Sequence, residues 1–278
     1  MFLHCGKYQL SLARPLIMGV VNITPDSFSD GGHYLQTAAA VARARQLLAE
    51  GADMLDLGGE STRPGAAPVT LEEERRRVLP VLTALADAGV PLSIDTWKPE
   101  LMREAAAAGA AIINDVNGFE APGAWAAVAG SGCAICIMHR QGTPETMQQA
   151  PQYGDVVAEV GNYLGARVAA AERAGIARER IVVDPGFGFG KTLEHNLALL
   201  RGIGRLAPPG VPVLAGLSRK SMIGALTGRE VGERVFGSVA AALIAAQRGA
   251  VIVRVHDVAA TRDALAVWSA VELNKIKN

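Results

Sequence analysis

Residues 239–257 read Val239-Ala240-Ala241-Ala242-Leu243-Ile244-Ala245-Ala246-Gln247-Arg248-Gly249-Ala250-Val251-Ile252-Val253-Arg254-Val255-His256-Asp257, and the order of residue types in them is repeated along the chain. The first part is Ala-rich and favours helix. Gly249 then suits the left-handed conformation that closes a helix. A short apolar run follows and ends in charge. Working outward, further apolar runs occupy residues 16–21, 54–57, 92–94, 111–113, 134–138, 181–183 and 213–217, so that with 251–255 the pattern predicts eight strands. Between them, residues 38–50, 71–88, 99–108, 155–174, 193–200 and 239–248 are rich in Ala, Leu, Glu and Arg and predict helices. Gly51, Gly89, Gly109, Gly175 and Gly249 each stand where a helix should end before the next strand. Strands with no polar alternation are buried on both faces, which implies a parallel sheet covered by helices. Eight such units in 278 residues predict an α/β protein, a single-domain (β/α)8 TIM barrel over residues 1–278, in preference to an open doubly wound sheet. Phe2, Leu3, Tyr8 and Leu10 around Gly6-Lys7 predict a short N-terminal β-hairpin that caps the bottom of the barrel.

Composition narrows the function classes. With 27 basic and 27 acidic residues the formal net charge is zero, which argues against nucleic acid or an anionic membrane as partner. Any anion must therefore be gripped locally. Three cysteines are too few and too odd for a secreted disulfide framework. Cys133 and Cys136 form C-x-x-C, but three positions apart on a strand they face opposite ways, and no second pair completes a zinc site. Arg14 precedes only a short apolar run with no cleavage signature. Residues 235–246 are nearly apolar but fall short of the roughly 20 a membrane helix needs. The expectation is a soluble, cytoplasmic protein.

Active sites of such barrels form at the C-terminal strand ends, so the residue after each apolar run carries the information. Those positions hold Asn22, Gly58 to Gly65, Asp95, Asn114-Asp115, His139-Arg140, Asp184 to Gly190, Ser218 to Ser221, and Arg254 to Asp257. Helix N-capping is an equal alternative for Asp115 or Thr96, but not for the whole set. Arg254 lies inside an apolar strand, where an unpaired charge is costly, so it needs a partner. Gly188-Phe189-Gly190-Lys191-Thr192 imitates the end of a phosphate-binding P-loop, but Pro185 stands where that pattern requires its first glycine. G-x-S-x-G and H-E-x-x-H are both missing. The chemistry predicted is orientation and charge stabilisation.

At these strand ends the chain resembles the dihydropteroate synthase family. The resemblance is carried by Met18-Gly19-Val20-Val21-Asn22-Ile23-Thr24-Pro25-Asp26-Ser27-Phe28-Ser29-Asp30-Gly31-Gly32 and Gly58-Gly59-Glu60-Ser61-Thr62-Arg63-Pro64-Gly65. Ser93-Ile94-Asp95-Thr96, Ile113-Asn114-Asp115, Met138-His139, Asp184-Pro185-Gly186-Phe187-Gly188-Phe189, Gly216-Leu217-Ser218-Arg219-Lys220-Ser221 and Arg254-Val255-His256-Asp257 extend it through all eight units. It implies condensation of a dihydropterin diphosphate with 4-aminobenzoate in folate biosynthesis, with Mg2+ as cofactor and a homodimer as the assembly. By the same resemblance Lys220, Arg254 and His256 are the catalytic group. Thr62, Asp95, Asn114, Asp184, Lys220, Arg254 and His256 would bind pterin and diphosphate. Thr62, Arg63, Pro64, Phe189 and Ser221 would bind aminobenzoate, and Asn22 the metal. Phe28 and Asp30 would belong to a mobile first loop. Sulfonamides should compete with aminobenzoate.

The chemistry suits those types: a pterin edge of N–H donors wants carboxylate acceptors, and a guanidinium can stack on the ring while facing anionic oxygen. A pterin-dependent methyltransferase would lack a diphosphate clamp and an aminobenzoate loop, whereas Asn22, Arg254 and His256 occur here beside Ser61-Thr62-Arg63-Pro64. A non-catalytic pterin-binding homologue should have lost part of the first two loops or Lys220, and none is missing. A Schiff-base role for Lys220 is disfavoured by its neighbour Arg219 in a loop beyond the strand. Phe189 can be a site residue or loop packing, and the Ala-rich face of 239–246 an interface or core.

Overall fold

The computed structural model describes residues 1–24, 33–61, 66–143, 146–147 and 149–272. Eight parallel strands close into a barrel: β3 (Leu16–Asn22), β4 (Met54–Gly58), β5 (Leu92–Asp95), β6 (Ile112–Asp115), β7 (Ala134–Met138), β8 (Ile181–Asp184), β9 (Val213–Ala215) and β10 (Ala250–Val255). They are arranged in chain order, with β10 returning to pair with β3. The expected strands are all present, but several reach further, so Asn22, Gly58, Asp95, Asp184 and, on β6, both Asn114 and Asp115 lie inside the sheet rather than just outside it. β9 is shorter than expected and ends before Gly216.

Helices α1 (His33–Ala49), α2 (Leu71–Ala84), α3 (Pro99–Ala107), α5 (Val156–Arg173), α6 (Leu193–Arg201) and α8 (Val235–Gln247) answer the six helical patterns, and α4 (Ala124–Val128), α7 (Ser221–Thr227) and α9 (Val258–Glu272) add to them. The five glycines expected to close helices all have positive φ, from 72° at Gly89 to 112° at Gly249. Among the described residues no helix is long and apolar enough to cross a membrane.

Side-chain alternation on the strands builds two cores. Outward residues such as Ile17, Leu55, Ile94, Ile113, Ile135, Val183 and Val253 pack beneath the helices. Inward residues Met18, Met54, Ile112, Cys136, Val182, Leu214 and Ile252 fill the lower barrel. The two cysteines of C-x-x-C do face opposite ways, Cys133 in the outer core and Cys136 in the inner one. The N-terminal hairpin is β1 (Phe2–Cys5) paired antiparallel with β2 (Tyr8–Ser11). Its Leu3 and Cys5 are fully buried in the inner core, and the Gly6 amide donates to Gly132 O at 3.0 Å. The hairpin therefore seals the bottom, and the polar strand ends are left at the top.

Candidate active site

Four neighbouring strand ends share one level, because the register pairs Asn22 with Gly58, Gly58 with Asp95, and Asp95 with Asn114. Below that level sits Asp56, one inward position earlier on β4 and completely buried. Its Oδ2 accepts from Asn114 Nδ2 at 3.1 Å and from Arg254 Nε at 2.7 Å. Arg254 Nη2 donates to Asp95 Oδ2 at 3.2 Å. The partner that Arg254 requires is thus supplied by two carboxylates of the protein. Asp56 Oδ1 and Asp95 Oδ1 are buried and, among the described residues, have no hydrogen-bond partner. Burial raises the Asp95 carboxyl, and the neighbouring Asp56 charge raises it further against the pull of Arg254.

Across the barrel, Asp184 Oδ1 accepts from the Gly186 amide at 2.7 Å. Burial raises its carboxyl, while Lys220 is the main charge opposing that rise. A Cβ on Gly216 would lie 3.7 Å from Asp184 Oδ2 and 3.9 Å from Arg254 Cβ, so the missing side chain leaves the space between them open. Lys220 donates to Phe187 O and holds its Nζ 4.7 Å from the centre of the Phe189 ring. Burial pulls its ammonium down to about 8, partly restored by Asp184. Arg219, at φ 59°, is tied to Asp257 by hydrogen bonds at 3.0 and 2.5 Å, and its amide donates to Ser238 Oγ at 2.9 Å. Those contacts set the turn that sends Lys220 inward and leaves Ser221 exposed as the first residue of α7.

His256 follows β10, and its Nδ1 and amide both approach Ser218 Oγ, at 3.0 and 3.2 Å. Asn22 is half-buried at the end of β3. Asp115 faces away from this group: it accepts the Asn117 and Phe119 amides, each at 2.7 Å, and orders a turn rather than capping a helix. Thr96 Oγ1 likewise accepts a local amide, Lys98 N at 3.3 Å. Thr62, Arg63, Pro64, Phe28 and Asp30 lie outside the described residues. Glu60, just ahead of the second loop, accepts from Lys98 Nζ at 2.5 Å, Trp97 Nε1 at 3.2 Å and Val69 N at 3.2 Å.

The structure therefore gathers Asp95, Asn114, Asp184, Lys220, Phe189 and Arg254 at one mouth, with Asn22 and His256 on its rim. Sequence reasoning missed Asp56. Its signal was a carboxylate inside an apolar strand, at the same inward parity as Met54. Among the described residues there is no group of three His, Cys, Asp or Glu that could hold a metal ion. A hard cation would find one oxygen donor in the Asn22 amide, which fits an ion held mainly by substrate phosphate oxygens and water.

A family model for pterin binding enzymes matches residues 18–256. Dihydropteroate synthase of Neisseria meningitidis serogroup B is 56% identical over 278 residues, covering 98% of each chain. The solved structure of Xanthomonas albilineans dihydropteroate synthase with 4-aminobenzoic acid superposes with a TM-score of 0.92 at 55% identity, covering 99% of both chains. That of the Burkholderia cenocepacia enzyme complexed with 7,8-dihydropteroate gives 0.90 at 53% identity, covering 98% of this chain and 97% of the other.

Proposed function

The chain belongs to the dihydropteroate synthases of the pterin-binding enzyme family, transferases of folate biosynthesis, and on that premise we propose how its rim performs the reaction. The enzyme condenses (7,8-dihydropterin-6-yl)methyl diphosphate with 4-aminobenzoate, releasing diphosphate and 7,8-dihydropteroate. One observation carries the assignment of the floor: two buried carboxylate oxygens, on Asp56 and Asp95, lack a donor among the described residues, beside a guanidinium the two side chains already share. The pterin edge supplies those donors. Asp95 and Asp184 accept from the ring, Asn114 gives and accepts, and Thr62 closes the set. Lys220 donates to ring oxygen or nitrogen. Arg254 stacks its flat face on the heterocycle, which its two carboxylate bonds favour by fixing the plane.

Asn22, Arg254 and His256 take the diphosphate. Charge collects on that group as the C–O bond breaks, while the methylene, attached to an electron-rich ring, carries the positive end. Cations positioned for the leaving group are therefore the main catalytic contribution, and removing one such donor costs about 100- to 1,000-fold in rate. Asn22 is the residue that would contact Mg2+, which when bound supplies positive charge to the departing oxygens. The aniline nitrogen attacks as a positioned nucleophile without a dedicated base. Its ring lies between Pro64 and Phe189, and Thr62, Arg63 and Ser221 receive its carboxylate end.

The whole of residues 1–278 forms one domain in this reading, in a cytoplasmic enzyme. The homodimer uses the face of α7 and α8, where Phe236 is 85% exposed and Leu226 54%, an apolar cost to a monomer. Purified protein supplied with the pterin diphosphate, 4-aminobenzoate and Mg2+ should release diphosphate and form dihydropteroate, with sulfonamides competing against aminobenzoate. No diphosphate release under those conditions removes the proposal.

A further inference from the structure

The loop after β8 alternates glycines of positive φ, Gly186 at 68°, Gly188 at 83° and Gly190 at 64°, with two phenylalanines. That backbone turns Phe187 fully into the core and leaves Phe189 half-buried at the mouth. A Cβ on Gly186 or Gly190 would collide with the carbonyls of His139 or Gln141, so the loop lies flush on its neighbour after β7. Its consecutive backbone groups are each held by a different side chain. Phe187 O accepts from Lys220, the Gly188 amide donates to Asn196 Oδ1 at 2.8 Å, Phe189 O accepts from Lys191 Nζ at 2.9 Å, and Gly190 O accepts from Tyr153 OH at 3.0 Å.

Lys191 is the costly member of that set. It is 3% exposed, and among the described residues it forms no ion pair within 4.0 Å. Its second close partner is the neutral ring of His139, with Nζ and Nδ1 3.0 Å apart. Nδ1 thus serves as acceptor, and the ring stands edge-on to Tyr163 at 4.9 Å. Burial lowers the Lys191 amine to about 7, with the Asp184 charge opposing that fall, so the site disfavours the ammonium, and a methionine of similar reach would fill the space at lower cost. We propose that Lys191, aimed by His139, is a positioning residue that fixes the Phe189 carbonyl and thereby the angle of the aromatic wall against which the aminobenzoate ring registers. The proposal rests on the reading that Phe189 faces aminobenzoate. It concerns a residue outside the proposed contacts to either substrate, bonded to a different carbonyl of the loop from the one Lys220 holds.

The test is steady-state kinetics on the purified enzyme, with calorimetric binding of the pterin diphosphate as the control for an intact floor. Lys191→Met should raise the KM for 4-aminobenzoate roughly tenfold, the scale of one lost hydrogen bond, and leave pterin affinity within about twofold. Lys191→Gln, which keeps one N–H for the carbonyl, should fall between it and the native enzyme. Phe189→Ala separates this inference from the reading beneath it. If Phe189→Ala raises the aminobenzoate KM and Lys191→Met does not, positioning by Lys191 is overturned and the site assignment stands. If Phe189→Ala leaves that KM unchanged, the site assignment itself fails. If Lys191→Met does not accumulate, or loses pterin binding in step with aminobenzoate, the lysine serves the rim as a whole and the proposal is equally overturned.

Discussion

Two residues along a strand separate the two ends of this barrel. Met54 and Asp56 on β4, Ile112 and Asn114 on β6, Val182 and Asp184 on β8, and Ile252 and Arg254 on β10 are successive inward positions. The lower of each pair belongs to the apolar plug with Leu3 and Cys5, and the upper to the polar floor. Each buried side chain below contributes about 1.5–3 kcal/mol. The upper layer contributes little or opposes folding, since Asp56 and Asp95 crowd one guanidinium and, among the described residues, keep oxygens without donors. One scaffold therefore keeps stability and chemistry in adjacent layers, and substitutions should tell them apart.

The largest effect belongs above. Arg254→Ala should lower kcat/KM by about 100- to 1,000-fold, because it removes the cation proposed to face the leaving group. A loss below tenfold would dissolve the distinction between the layers. Below, Met54→Ala should cost about 2–5 kcal/mol in denaturant unfolding and leave kcat of the folded protein near native. A parallel loss of kcat would show that the plug shapes the floor.

Acidification should also separate the ends. Burial, and then the Lys191 charge, lower His139 from 6.5 to about 3. The unfolded chain thus takes up that proton near 6.5 and the folded chain not until about 3, so stability falls as the pH drops through that window, by on the order of a few kcal/mol. Thermal midpoints measured across it should slope less for His139→Gln than for the native enzyme, and equal slopes would assign the acid limb elsewhere. In the plug, burial pushes the Cys5 thiol up to about 12, so its proton stays in place throughout. The smallest stability change should come from Asp95→Asn. Its carboxyl is raised by burial and by Asp56, so the ionised form is a burden on the free fold at neutral pH. The variant should melt within about 1 kcal/mol of the native enzyme or above it, while pterin affinity falls. A clear drop in stability would mean that the Asp95–Arg254 bond outweighs the crowding.

Strands, helices and the polar mouth were legible because apolar runs and helix-closing glycines are local signals. So was the hairpin, whose alternation is short but bounded by Gly6-Lys7. Asp56 escaped because it sits one inward step below the strand end, in a run that reads as core, and only its pairing with Arg254 across 198 positions shows its place. Lys191 escaped for a related reason. In sequence it is the tail of a failed P-loop, and its partner His139 lies 52 positions away, so no spacing links them. Pairings of this kind follow from closure of the cylinder rather than from any window of sequence. The reverse also occurred: Thr96 and Asp115 stood at strand ends and proved to serve local backbone.

The hairpin stopper has a consequence for traffic. With Leu3 and Cys5 wedged into its base, the cylinder is closed at that end among the described residues, and every visitor has to come by way of the polar end. Whatever lodges deepest has to arrive first, and an occupant nearer the threshold bars the way until it departs. On the proposed floor plan the heterocycle is the early guest and the aniline the late one, so the sequence of arrivals is imposed by architecture before any affinity is considered.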